Sequence, residues 1–263
     1  MYMAGSVSLG DVSAFVLYSR KFSGPINEFA NLMNKTENLL NNAAKGRLDF
    51  KSMNPSTFEE FALKYIKDAC DETPFDSNEV FLISGHSFPD IIANGYFGVE
   101  VKSTNKDHWT STGSSIVEST RIKNVDDIYM LFGKLGGEPA QFKCRPYQDV
   151  LYDIAVTHSP RYLIDMELGE NETIFDKMGI DYNSFRTSTD SIEKVRQYYK
   201  KRAEDEGKTE MPWWMTRDTI EKTQPISIRL WNSLEVHEQR ELRAKCLILF
   251  PEVLSPKRNP QKY

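Results

Sequence analysis

The sequence predicts an α/β protein, in the sense that includes α+β arrangements, with a central mixed β-sheet flanked by helices. Two segments before residue 70 carry apolar residues at helical spacing, and short apolar segments typical of strands follow them. The pair Asn94-Gly95 predicts a tight hairpin between two of those strands. Residues 126–134 are almost continuously apolar, which is typical of a strand covered on both faces.

Length and composition limit the classes of function. The chain has 263 residues, of which 40% are hydrophobic and 27% charged, as in a globular protein with a sizeable core. The formal net charge of −5 disfavours a protein that coats nucleic acid non-specifically, because phosphate neutralisation drives such binding. Cys70, Cys144 and Cys246 form no CxxC pair, which favours reduced thiols in a cytoplasmic protein. We expect neither a signal peptide nor a membrane span, since no apolar run is long enough.

The N-terminal part, residues 1–55, is predicted to be helical and to elaborate the fold. Pro25 stands at the expected start of a helix that continues to about residue 44, with an apolar stripe at helical spacing.

A second helix is predicted over residues 55–69. Either Ser56 with Glu59 or Thr57 with Glu60 fits a capping box at its start.

The middle of the chain is predicted to supply the sheet. Apolar or alternating segments predict strands at 79–84, 90–93, 97–102, 126–134, 141–146, 152–157 and 163–166. The polar residues 103–115 are expected to form a loop that leaves the active-site end of the sheet.

The C-terminal part, residues 167–263, is predicted to be a further helical and β elaboration. A charged helix is expected over 190–207, a strand at 226–231 and a helix at 236–249. The first of these helices contains the most basic run, residues 200–202, which suits either a solvated face or contact with flanking DNA.

The predicted hairpin carries the candidate site. Glu100 and Lys102 share one face of their strand because side chains alternate along a strand. The hairpin brings Asp90 back beside them, so two carboxylates and an ammonium converge at one end of the sheet. Two oxygen ligands together with a substrate phosphate suit Mg²⁺. Phosphodiester hydrolysis needs such a metal, an activated water and fixed positive charge.

The spacing of these residues resembles a known nuclease signature. Pro89-Asp90, separated by nine residues from Glu100-Val101-Lys102, is similar to the PD-(D/E)xK motif of the superfamily that contains most type II restriction endonucleases. The resemblance covers roughly residues 56–134. It implies a restriction-endonuclease-like core over about 56–166, within a single nuclease domain of residues 1–263. It also implies a sequence-specific, Mg²⁺-dependent endonuclease that hydrolyses double-stranded DNA.

The resemblance also implies roles for particular side chains. Asp90 and Glu100 would ligate Mg²⁺, and Lys102 would position or activate the hydrolytic water. Glu59 stands in a Phe-Glu-Glu-Phe-Ala context similar to the helix that adds an acidic residue to the family's site. Alternatively, Glu59 and Glu60 only favour the helix N-terminus through capping and the helix dipole.

Polar residues after the catalytic lysine are candidates for DNA contact. Their position and chemistry suit phosphate and base-edge contacts, although they equally suit a solvated loop. The candidates are Ser103, Thr104, Asn105, Lys106, His108 and Arg121. More weakly, His86, Arg145, His158 and Arg161 could contact phosphate, the arginines having pairing with nearby carboxylates as an equal alternative.

The resemblance further implies partners. Type II enzymes usually act as two-fold dimers on palindromic sites, so a homodimer is expected. A cognate DNA methyltransferase that acts on the same site is a second expected partner. Two alternatives stay open: a repair nicking or junction-resolving nuclease of the same superfamily, and a catalytically silent DNA-binding module.

Overall fold

The computed structural model describes residues 9–45, 49–83, 85, 87–156, 160–207 and 235–249. These residues belong to two compact units, 1–195 and 196–263, and every described strand lies in the first unit.

Six α-helices are described. They are α1 (Leu9–Ala44), α2 (Pro55–Ala69), α3 (Ile174–Met178), α4 (Tyr182–Arg186), α5 (Ser191–Asp205) and α6 (Val236–Leu249). Three short 3₁₀ turns occur at Asp49–Ser52, Ser77–Glu79 and Tyr147–Val150. No helix among the described residues is both long enough and apolar enough to cross a membrane.

Eight strands, in two sheets, occur among the described residues. They are β1 (Val80–Leu82), β2 (Ile91–Ala93), β3 (Phe97–Thr104), β4 (Thr110–Ser115), β5 (Asp127–Lys134), β6 (Gln141–Pro146), β7 (Leu151–Val156) and β8 (Pro160–Asp165). The main sheet has the order β1-β2-β3-β5-β6, in which only the β3–β5 pair is parallel. The second sheet is antiparallel, with the order β4-β8-β7. The predicted α/β class with a mixed sheet is therefore confirmed.

The β2–β3 hairpin forms where Asn94-Gly95 predicts it. Both residues have positive φ, 48° and 73°, which matches the conformation that this pair favours in tight turns. Ile91 pairs with Val99, so Asp90 and Glu100 come next to each other immediately beyond the paired residues. The turn therefore sets the register that brings the two carboxylates together.

The main sheet is covered on both faces. Leu131 and the helix residues Phe29 and Phe58 belong to one buried cluster formed with α1 and α2. On the opposite face, Phe132 contacts Trp109, with ring centroids 5.9 Å apart. Leu131 and Phe132 are both fully buried, which confirms the prediction that β5 is covered on both sides.

Helix α1 also binds the backbone of the edge strand β6. The Asn41 side chain donates to the Phe142 carbonyl and accepts from the Phe142 N–H, both at 2.9 Å. The Glu37 carboxylate accepts from the Cys144 N–H at 2.6 Å. These bonds satisfy backbone groups that β5, on the other side of β6, does not reach.

The prediction of a loop over 103–115 is wrong. β3 continues to Thr104, and residues 110–115 form β4 in the second sheet. β4 has no large apolar side chain, so its sequence gives no alternating apolar signal. Pairing with β8, an interaction remote in sequence, supplies the ladder of hydrogen bonds that makes it a strand.

The start of α1 and the cap of α2 differ from expectation. α1 begins at Leu9 and contains Pro25 in its interior, where a proline removes one hydrogen bond and crowds the preceding turn. The N-cap of α2 is Asn54, whose side chain accepts from the Thr57 N–H at 2.9 Å, so neither predicted capping box forms. The residue before the proline thus provides the cap.

In the C-terminal part, α5 and α6 match the predicted helices, and Gly207 follows α5 with a φ of 65°. The predicted strand at 226–231 lies outside the described residues.

We expect Asn41→Ala to lower the free energy of unfolding by about 2 kcal/mol, because it leaves a backbone donor and acceptor of β6 without partners. Urea unfolding measures this change. Asn42→Ala is the matched control, since its side chain is exposed and accepts a hydrogen bond from the exposed Lys45. Equal stability of the two variants would contradict the edge-binding role of Asn41.

Candidate active site

One cleft of about 470 Å³ brings the predicted catalytic residues together. Glu59 comes from α2, Asp90 from the loop before β2, and Glu100 and Lys102 from β3. β4 and the residues that follow it form the opposite wall. Its members Thr112, Gly113, Ser114 and Ser115 belong to the polar segment 103–115 predicted from the sequence, whereas sequence reasoning missed Glu118, Ser119 and Thr120.

Backbone contacts on both sides of Asp90 fix its position. The Phe88 N–H donates to the Thr120 carbonyl at 3.1 Å, and the Ile122 N–H donates to the Phe88 carbonyl at 2.8 Å. Asp90 Oδ2 accepts from the Val101 N–H at 2.8 Å. The Asp90 carboxylate is thus fastened to β3 between Glu100 and Lys102.

Glu100 and Lys102 form an ion pair inside the cleft, with Lys102 Nζ 2.8 Å from Glu100 Oε1. Glu100 is only 4% exposed. The pKa of Glu100 is raised to about 7: burial raises it most, Lys102 acts to lower it, and the Asp90 charge raises it. When both carboxylates are ionised, they carry two negative charges against the one positive charge of Lys102.

Lys102 is held in its charged form. Burial acts to lower the pKa of Lys102, but Glu100, Asp90 and Glu59 together outweigh burial and raise it. A protonated lysine can orient a water or stabilise phosphate charge, whereas it cannot accept a proton. In the metal-free protein, the raised pKa of Lys102 therefore favours a role in positioning water or in stabilising phosphate charge.

The donor set fits Mg²⁺. Asp90 and Glu100 offer carboxylate oxygens, and a divalent cation would offset the excess negative charge between them. Among the described residues, no three His, Cys, Asp or Glu side chains are grouped closely enough to hold a metal by themselves. Mg²⁺ does not need such a cage, because one or two carboxylates with water and substrate phosphate suffice.

The structure brings Glu59, and not Glu60, to the cleft. Burial raises the pKa of the Glu59 carboxyl, and the Asp90 charge raises it further. Glu60 is exposed and does not line the cleft. Glu59 is thus placed to interact with the same charges as the hairpin residues.

Gly98 makes room for the loop that carries Asp90. A Cβ at this position would lie 2.3 Å from Pro89 Cγ and 2.9 Å from Val125 Cγ1. Pro89 therefore packs directly on the β3 backbone, which an alanine at position 98 would prevent.

The predicted DNA-contact residues occupy a different place. Ser103, Thr104, Lys106 and His108 line a second, more open cavity of about 440 Å³. Asn105 is exposed and does not line this cavity. Its carbonyl oxygen packs against Gly136, where an added Cβ would lie only 2.4 Å from it. β4 separates this cavity from the cleft, and Thr112 lines both.

Arg121 is not placed for DNA contact. Its guanidinium lies 2.6 Å from Glu118 and also donates to the Val125 carbonyl and the Tyr182 hydroxyl. Its side chain is only 10% exposed, so these partners occupy the group. Instead, Arg121 stabilises the segment whose neighbours Thr120 and Ile122 bind Phe88.

The four weaker candidates for phosphate contact have different outcomes. Arg161 lines the cleft. Arg145 donates to the carbonyls of Met166 and Leu168 at 3.2 and 2.7 Å, a structural role. His86 and His158 lie outside the described residues.

Comparison with known proteins adds no family assignment. No protein-family model matches this sequence, and a search among curated proteins finds no significant match to it.

We expect Gly98→Ala to lower the free energy of unfolding by about 2 kcal/mol, because the added methyl overlaps Pro89 and Val125. Urea unfolding measures the change. Gly24→Ala is the matched control, since a Cβ there meets nothing within 4 Å and alanine favours a helix. If Gly98→Ala were as stable as Gly24→Ala, the close approach of Pro89 would be disproved.

We expect the metal-free protein to lose stability as the pH rises. The pKa of Glu100 is raised to about 7 in the folded state, well above its ordinary value. The stabilisation is fully present below the unfolded pKa and is lost as the pH rises through the folded one. The loss between pH 5 and pH 8 should be on the order of 2 kcal/mol.

Urea unfolding in EDTA at both pH values tests this loss, with Glu100→Gln as the reference. The glutamine keeps the shape and cannot ionise, so the wild-type protein should lose more stability than this variant. Parallel pH dependence in the two proteins would show that Glu100 does not titrate in this way.

Proposed function

We propose that this chain is a Mg²⁺-dependent endonuclease of the PD-(D/E)xK class that hydrolyses phosphodiester bonds of double-stranded DNA at specific sequences. The observation that carries the proposal is the convergence of Asp90, Glu100 and Lys102 in one cleft, fixed by the hydrogen bond from Val101 to Asp90. The spacing of these residues in the sequence and their arrangement in the fold support the same chemistry.

The residues would divide the work as follows. Asp90 and Glu100 would hold Mg²⁺, which supplies Lewis-acid polarisation of the phosphate and a more acidic water. Lys102, held protonated by its acidic neighbours, would orient the attacking water and stabilise negative charge that develops on the phosphate. Glu59 would add a further carboxylate at the cleft wall, within electrostatic reach of Lys102.

DNA would enter from the side of β4. Ser103, Thr104, Lys106 and His108 line the cavity next to the cleft, so they remain candidates for contacts flanking the cut. The chain's net charge of −5 makes local contacts, and not overall attraction, the source of affinity. The product would carry a 5′-phosphate, as the family resemblance implies.

The biological setting is part of the same proposal. A type II restriction enzyme would be a homodimer on a palindromic site, with a methyltransferase that protects that site. A nicking or junction-resolving enzyme of the same class would use the same cleft, and plasmid cutting distinguishes the two.

The purified protein should cut plasmid DNA into discrete fragments with Mg²⁺ and leave it intact with EDTA. Asp90→Asn, Glu100→Gln and Lys102→Met should each reduce the rate by at least about a hundredfold, because each removes a ligand or fixed charge while keeping the side chain's size. Gel electrophoresis measures the rate, and circular dichroism checks the fold. Wild-type activity in any of the three would disprove the proposed site.

The adjacent glutamates on α2 provide the matched control. Glu59→Gln should slow cutting and Glu60→Gln should not, because of the two glutamates only Glu59 lines the cleft.

The products distinguish the alternative functions. Nicks without double-strand breaks would favour a nicking enzyme, and cuts confined to branched DNA would favour a junction-resolving enzyme. Sequence-independent binding without cutting would favour the silent module.

A further inference from the structure

The wall opposite the catalytic carboxylates combines hydroxyl groups with one arginine. Arg161 lies on β8 directly opposite Ser115 of β4, and both residues line the cleft. The β4–β8 ladder is irregular between Thr112 and Ser115. Such bulges redirect side chains, and here the irregular stretch forms part of the cleft lining.

Arg161 has hydrogen-bonding capacity that the protein does not use. Its Nε atom is shielded from solvent and has no hydrogen-bond partner. A buried donor without a partner is unfavourable, so a water or a ligand in the cleft would complete it. A guanidinium is charged at every accessible pH and recognises phosphate well.

The nearby carboxylates do not explain Arg161, because they have other partners. Glu118, which lines the same cleft, accepts from Arg121 at 2.6 Å and from the Tyr182 hydroxyl at 2.7 Å. Glu100 is paired with Lys102 at 2.8 Å. Among the described residues, Arg161 Nε therefore remains able to donate to an anion that enters the cleft.

We propose that Arg161, with the hydroxyl groups of Ser115, Ser119 and Thr120, binds a phosphate of the DNA backbone adjacent to the phosphate that is cut. This inference rests on the proposed function and adds a second phosphate subsite to it. Arginine and hydroxyl side chains are common partners of DNA phosphates, and these contacts set the register of the duplex without reading its sequence. Arg161 is thus a positioning residue on the wall that faces the metal ligands.

The test measures binding without cutting, in the Glu100→Gln background with Mg²⁺. Fluorescence anisotropy follows a labelled pool of random-sequence duplexes over a series of salt concentrations. Adding Arg161→Ala should weaken binding about tenfold and lower the slope of log affinity against log salt by about 0.9, the value for one phosphate contact. Arg161→Lys keeps the charge and should recover the slope but only part of the affinity.

Plasmid cutting by the otherwise wild-type protein gives a second readout. Arg161→Ala should raise KM more than it lowers kcat, because a contact to a neighbouring phosphate contributes mainly to binding. Arg186→Ala is the matched control, since its guanidinium pairs with Asp126 and lines neither cavity. It should leave affinity and salt slope unchanged.

The outcomes separate the two proposals. If the Glu100→Gln protein binds duplex DNA and Arg161→Ala changes neither affinity nor slope, the subsite is overturned and the nuclease proposal stands. A loss that Arg186→Ala reproduces also overturns the subsite, because it reflects general charge. If the wild-type protein neither binds nor cuts DNA, both proposals fall.

Discussion

The hydrogen bond from the Val101 N–H to Asp90 Oδ2 is the contact on which the candidate site depends. It can form only because the turn at Asn94-Gly95 sets the register of β2 against β3. It also requires Gly98, whose missing side chain lets Pro89 lie on β3. The partners of Phe88 hold the same loop from the far side. Local turn chemistry and distant packing therefore converge on the position of one carboxylate.

The cleft contains charged groups that are largely shielded from water. Glu100 is almost completely buried, so its ionised form depends on Lys102 and on any cation that joins the pair. Binding of a divalent cation would favour the ionised carboxylate, so metal and proton would compete for the same oxygen atoms. Occupancy of such a site by a cation would be sensitive to pH near neutrality.

The sequence was informative where signals are local. The hairpin pair, the apolar content of β5 and the stripe of α2 predicted the sheet, its burial and the convergence of Asp90, Glu100 and Lys102. It was uninformative where structure depends on remote pairing. β4 is polar throughout and becomes a strand by pairing with β8, so this wall of the cleft had no signal in the sequence.

The short helices α3 and α4, of five residues each, were missed because they are too short for a full apolar period. Arg121 was misassigned because a sequence does not show that Glu118 and Tyr182 occupy its guanidinium.

The bonds from α1 to β6 bear on how two copies could assemble. Exposed strand edges are templates for pairing with another chain, and proteins often block them. On β6, Glu37 and Asn41 already occupy backbone groups of Cys144 and Phe142 that a foreign strand would need. A continuous sheet running through two copies is therefore disfavoured at this edge. If the protein acts as a two-fold dimer, its contact must be built from side chains on another surface, which leaves the β6 edge a closed boundary of the fold.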